Sequence, residues 1–129
     1  MAGNLYQLGN GLGAFFQDLG AEHAAKVVVI TMSEFGRTVK QNGNQGTDHG
    51  HGTAFLIMGA VAGGRVLGEF PGLAADALHD GRDARVTTDY RDILADVLHH
   101  HMGIDALQRI FPNHAIDKRN FPGLFHRSA

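Results

Sequence analysis

Val27-Val28-Val29-Ile30-Thr31-Met32-Ser33-Glu34-Phe35-Gly36-Arg37-Thr38 is the stretch that decides how this chain folds. Its first five residues are β-branched, the first four of them apolar, without alternation. That pattern predicts a central strand buried on both faces, as in a parallel sheet. The chain then leaves the strand through Ser33-Glu34-Phe35-Gly36-Arg37-Thr38 and soon reaches Gly46-Thr47-Asp48-His49-Gly50-His51-Gly52. In an open α/β sheet, functional sites lie just past the carboxyl ends of the strands. The expected fold class is therefore α/β, with a site in the loop that spans Met32 to Thr53. A loop of about twenty residues is too long for a plain connector and points to function or disorder.

Working outward, Leu5, Leu8, Leu12, Phe15, Phe16 and Leu19 recur at helical spacing and predict an amphipathic helix from about Asn4 to Ala25. Gly9, Gly11 and Gly13 each weaken it by up to about 1 kcal/mol relative to alanine. A helix that tolerates them is expected to pack closely against something. Ala54 to Met58 predicts a second strand, and Gly59 to Gly64 a turn. Short strands are expected at Arg65 to Leu67 and Arg85 to Thr88, on either side of an irregular Pro71–Arg85 segment. Thr88 or Asp89 then caps a helix whose apolar stripe is Tyr90, Ile93, Leu94, Val97 and Leu98. Gly103 suits its C′ position. A helical turn over Ala106–Ile110 stops at Pro112. The tail from Asn113 reads as an extended strap anchored by Phe121, Leu124 and Phe125.

The 129 residues fit one domain, and 43% hydrophobic with 19% charged residues is an ordinary globular composition. A formal charge of −2 with scattered basic residues argues against nucleic acid as a partner. No apolar run reaches the eighteen or so residues of a membrane span. No export signal is readable at the N-terminus, which lacks a basic start and a continuous apolar run. There is no cysteine, so thiolate metal sites and disulfides are excluded.

Four candidate metal ligands, Glu34, Asp48, His49 and His51, lie within eighteen residues. Imidazole nitrogen and carboxylate oxygen suit a divalent metal such as zinc, manganese or iron. His49 and His51 point to one side of an extended segment. Gly50 and Gly52 would let the backbone approach an ion or an anion. The competing reading is a polar loop with ordinary turn and capping bonds. Arg37 offers a bidentate fork to phosphate or sulfate, or else pairs with Glu34 or Asp48 and orders the loop. His99-His100-His101 closes a helix, and consecutive helical side chains about 100° apart do not easily share an ion. His23, His79, His114 and His126 read as isolated and exposed. Asp89 and Asp92 are explained by capping and the helix dipole.

Several segments also carry a family resemblance. They are Ala14-Phe15-Phe16-Gln17-Asp18-Leu19-Gly20, Ser33 to Thr38, Gly46 to His51, Phe70-Pro71-Gly72-Leu73, Thr88-Asp89-Tyr90-Arg91 and Phe111-Pro112. From about residue 5 to residue 125 the sequence resembles the C-terminal part of the DUF1501 family, commonly grouped with the alkaline phosphatase/sulfatase superfamily. The resemblance implies one domain over 1–129, forming the C-terminal portion of a three-layer α/β/α sandwich. In that superfamily a strand often ends in Ser-Asp-His-Gly or Ser-Asp-Asn-Gly, and a His-Gly ligand follows. Ser33-Glu34-Phe35-Gly36 matches the first element; His49-Gly50 or His51-Gly52 matches the second. Phe35 departs from the expected His or Asn. The resemblance further implies a metal-dependent hydrolase of an anionic phosphate or sulfate ester, with Glu34, Asp48, His49 and His51 as ligands and Arg37 on the anion. The superfamily's nucleophile and its first acidic ligands belong to an N-terminal half that has no counterpart here, so the chain reads as a fragment, inactive or nearly so alone. Full-length relatives suggest export to the periplasm. The alternative is a non-catalytic metal-binding or interaction domain, whose open sheet edges and apolar surface favour self-association or docking with the missing half.

Overall fold

The computed structural model describes residues 2–125. It is a mixed α/β structure of two helices, two small antiparallel sheets and long ordered loops. Helix α1 spans Ala2–Ala24, with a non-helical Gly20 inside it (φ 69°, ψ 165°). Strand β1 (Val28–Ile30) follows, then β2 (Gly36–Arg37), β3 (His49–Gly50) and β4 (Ile57–Gly59). Helix α2 spans Tyr90–His100, and two single 3-10 turns, Leu107–Arg109 and Lys118–Asn120, complete the order.

The Val27–Thr31 run does form a strand, but its partner is antiparallel. Val28 pairs with Gly59, Val29 with Met58 and Ile30 with Ile57. All three β1 residues are half-buried, so the doubly covered parallel strand expected from the apolar run is not what forms. The second apolar run forms a strand only over Ile57–Gly59. Among the described residues, Arg65–Leu67 and Arg85–Thr88 are not strands. Arg85 instead turns its side chain onto the Leu78 and Asp76 carbonyls.

Helix α1 forms where its periodicity predicts, yet its stripe is only partly covered. Leu12, Phe16 and Leu19 are half-buried, whereas Leu5, Leu8 and Phe15 are exposed. Phe16, Ala24, Ala25, Met58 and Gly59 line a shallow apolar depression at the α1–β4 junction. A Cβ built on Gly9, Gly11 or Gly13 would meet nothing within 4 Å, so the close packing expected of those glycines is absent among the described residues.

Helix α2 organises the core. Asp89 is its N-cap and accepts the Arg91 backbone N–H at 2.9 Å. Gly103 lies two residues past the C-cap His101 and donates to the His99 carbonyl. The buried apolar residues are Leu78, Ala95, Val97, Leu107 and Leu124. The strap after Asn113 is anchored as expected: Leu124 is buried, and Phe121 and Phe125 are half-buried beside the His99–His101 rings. No helix among the described residues is long and apolar enough to cross a membrane.

Candidate metal centre

The loop after β1 is an ordered hairpin. Gly36 pairs with Gly50, and Arg37 with His49. Thr38 fastens its base: its backbone N–H donates to the Asp48 carbonyl, and its hydroxyl accepts the Asp48 N–H, both at 3.0 Å. Asn42 closes the tip by donating to Asp48 Oδ1 and accepting from the Asn44 and Gly46 backbones. Arg37 donates to the Thr47 carbonyl at 2.9 Å, so it orders the loop through backbone rather than through Glu34 or Asp48. Phe35 stacks on His49, with ring centroids 4.4 Å apart and planes within 7°.

A second turn packs against this hairpin. Asp80-Gly81 is a two-residue turn with positive φ at both positions (50° and 64°), and Arg82 N–H donates to the His79 carbonyl. This is the residue pair that type I′ turns favour. The turn joins the hairpin edge through Val39 N–H to Arg82 O and Gly52 N–H to Ala84 O, with a bridge between Thr38 and Asp83. The approach is too close for a side chain. A Cβ on Gly50 would lie 2.7 Å from the Asp83 Cβ, and one on Gly52 would lie 2.7 Å from the Ala84 carbonyl oxygen. The two glycines thus admit protein atoms of the turn, where the sequence suggested an ion.

Of the four predicted ligands, only His51 joins a converged group, and its companions come from the turn. His51, His79 and Asp83 each offer a donor atom, all within 4.8 Å of one another; this is the one such group among the described residues. Asp83 is fully buried. Its Oδ2 accepts the His51 backbone N–H and lies 3.0 Å from His51 Nδ1; its Oδ1 accepts from Arg82 Nε at 3.3 Å. The His51 and His79 rings lie 3.9 Å apart. His79 Nδ1 is buried without a hydrogen-bond partner. Glu34 is exposed, Asp48 is committed to the hairpin tip, and His49 lies exposed under Phe35.

The sequence model of the family described as "Protein of unknown function (DUF1501)" matches residues 1–120. The chain belongs to the DUF1501 family. No curated protein and no solved structure matches it.

In this DUF1501 chain the electrostatics of the group follow from Asp83. The His51 backbone N–H holds its carboxyl below the ordinary value of 3.8; burial opposes, and the His51 ring and Arg82 side chain add to the lowering. Asp83 is thus a buried carboxylate at neutral pH. His79 and His114, read from sequence as isolated and exposed, both have partners, and His79 is half-exposed. His79 belongs to the group, and His114 is mostly buried with Nε2 at 2.8 Å from Asp92. Asp92 is itself buried, so it does more than favour the helix dipole. His126 lies outside the described residues. The histidine tract behaves as its spacing implies: His99 turns to Asp105, His100 to Asp96 and His101 onto Phe125, each to a different partner. Asp83 and His79 escaped the sequence reading because they lie about thirty residues beyond the hairpin. The readable signal was Asp80-Gly81, the dipeptide of a tight hairpin turn.

Proposed function

We propose that this chain is the C-terminal portion of a metal-dependent hydrolase of phosphate or sulfate esters. In this reading its helices and strands complete a three-layer α/β/α sandwich of the alkaline phosphatase/sulfatase type. The observation that carries the reading is the register of the hairpin: Arg37 and His49 are cross-strand partners, with Asp48 adjacent and His51 two residues on. A guanidinium next to imidazole and carboxylate donors is the combination a tetrahedral oxyanion on a metal requires. Glu34, Asp48, His49 and His51 would hold the divalent metal, and the donor set suits zinc, manganese or iron. Fit is incomplete within this chain, because Glu34, Asp48 and His49 do not converge with His51. Further ligands and the nucleophile would come from an N-terminal half. When bound, the metal lowers the pKa of a nucleophile and offsets charge developing on the transferred group. Arg37 keeps one guanidinium nitrogen on the Thr47 carbonyl, and the rest of its fork would hold the anion.

The test is binding of inorganic phosphate to the metal-supplemented chain, beside turnover of an aryl phosphate and an aryl sulfate. Phosphate binding that Arg37→Ala weakens by about tenfold, with turnover near background, is the expected result. Absence of phosphate binding with zinc, manganese and iron alike would overturn it. A second reading, a non-catalytic metal-binding or interaction domain, is favoured by Phe35. It occupies a position where the superfamily pattern has a ligand, and it covers the His49 ring.

A further inference from the structure

The turn that packs on the hairpin carries donors that the hydrolase reading does not use. We propose that His51, His79 and Asp83 form a zinc site of this chain, sharing only His51 with the ligand set inferred from the family resemblance. The proposal stands apart from the hydrolase reading and does not need it.

The group is built by backbone. His79 and Asp83 bracket the Asp80-Gly81 turn, with His79 N–H on the Asp83 carbonyl at 2.8 Å. His51 follows β3 directly, and its own backbone N–H holds Asp83 Oδ2. Two of the donors therefore come from one tight turn, and the third is tied to it by a main-chain bond. An ordinary His–Asp hydrogen bond accounts for the 3.0 Å contact between His51 Nδ1 and Asp83 Oδ2. It does not account for His79, whose Nδ1 is buried and unpartnered, with the nearest carboxylate oxygen, from Asp80, at 3.6 Å. A divalent ion in place of the proton between His51 and Asp83 would engage the His79 ring as well, one of whose nitrogens lies within 4.8 Å of the other two donors.

Spacing and donor chemistry agree. Ligand atoms around a tetrahedral zinc sit about 3.4 Å apart, given bonds near 2.0–2.2 Å. The three donors lie within 4.8 Å, so the widest pair needs to close by up to about 1.4 Å. The side chains of His51 and His79 are 53% and 41% exposed and can turn, while Asp83 is fixed in the interior. The same exposure leaves the remaining coordination position to water. Two imidazoles and one carboxylate favour zinc over magnesium or calcium, which take all-oxygen sets.

The experiment is calorimetric titration of the full chain with zinc chloride at neutral pH. Wild type is compared with His79→Ala, His79→Gln and Glu34→Ala, each checked for folding by circular dichroism. His79 is half-exposed beside a turn, so its replacement leaves the core intact. The expected result is one zinc per chain, weakened at least about tenfold by both His79 variants and unchanged by Glu34→Ala. Cobalt should give a tetrahedral visible spectrum that both His79 variants lose. Wild-type affinity in the His79 variants, or no zinc uptake by the wild type, overturns the proposal. Zinc lost with Glu34→Ala but kept without His79 would place the ion on the hairpin, sinking this inference and supporting the hydrolase reading. Zinc held through His79 with no phosphate binding would do the reverse.

Discussion

Asp96 is fully buried in α2 and holds the C-terminal strap to it. Its Oδ2 accepts the Gly123 and Leu124 backbone N–H groups, both at 2.9 Å, and its Oδ1 lies 2.7 Å from His100 Nδ1. Asp96→Ala leaves the Leu124 N–H buried and unpaired, and should lower stability by about 3 kcal/mol in urea unfolding. A loss well under about 1 kcal/mol would mean the strap is held by its phenylalanines instead. Asp89 offers a pH test. The Arg91 guanidinium holds its carboxyl down to about 2, from an ordinary 3.8. A lowered folded pKa stabilises above the unfolded value, and that contribution is lost as pH falls from about 4 toward 2. Asp89→Asn keeps the cap but not the charge. It should therefore be less stable than wild type at pH 7, with the gap closing by about pH 2 in acid-unfolding curves. Asp89 was legible in the sequence because a cap is a local relation. Asp96 was not, because its partners lie 27 and 28 residues away.

The helices were the more readable elements for the same reason: the α2 cap and helical period lie within a dozen residues, although of the expected stripe only Val97 is buried, Tyr90 is exposed, and Asp92, Ala95 and Asp96 complete the buried face. Strands depend on distant partners. A short apolar run such as Val28–Ile30 states that a strand forms but not that Ile57–Gly59 will pair with it antiparallel. The α1 stripe was equally clear, yet nothing in a stripe says what covers it. The hairpin and the Asp80-Gly81 turn form one unit, and Gly50 is its tightest point of contact with the Asp83 side chain. Gly50→Ala sets a Cβ 2.7 Å from Asp83 and 2.9 Å from the Arg37 carbonyl carbon. It should cost about 1–3 kcal/mol and weaken any metal bound by His51 and Asp83, since the turn must retreat. Thermal unfolding and zinc titration of the same variant check both effects. Unchanged stability would mean that hairpin and turn are less closely packed than described.

At the scale of the whole molecule, the buried apolar set among the described residues is small and the exposed one is large. Leu5 and Tyr6 on α1 are 62% and 71% exposed, and Leu8 and Phe15 continue the same helix. A stripe of this kind favours association. Sedimentation velocity should show a weight-average mass that rises with concentration, reduced by Leu5→Glu with Phe15→Glu. A monomer at all concentrations would leave the stripe without that role. The metal site also belongs to this scale, because the hairpin supplies His51 and the turn supplies His79 and Asp83. The candidate site was half legible: the Asp48–His51 segment announces donors, but which of them converge depends on where residues 79 to 83 pack. His51 is common to both proposed ligand sets, so the most direct measurement is elemental analysis of the purified chain beside His51→Ala. About one zinc, manganese or iron per wild-type chain, lost in the variant, is the predicted result. A metal-free wild type that takes up none of the three when supplied would contradict the account, leaving His51 and Asp83 as a structural hydrogen bond between hairpin and turn.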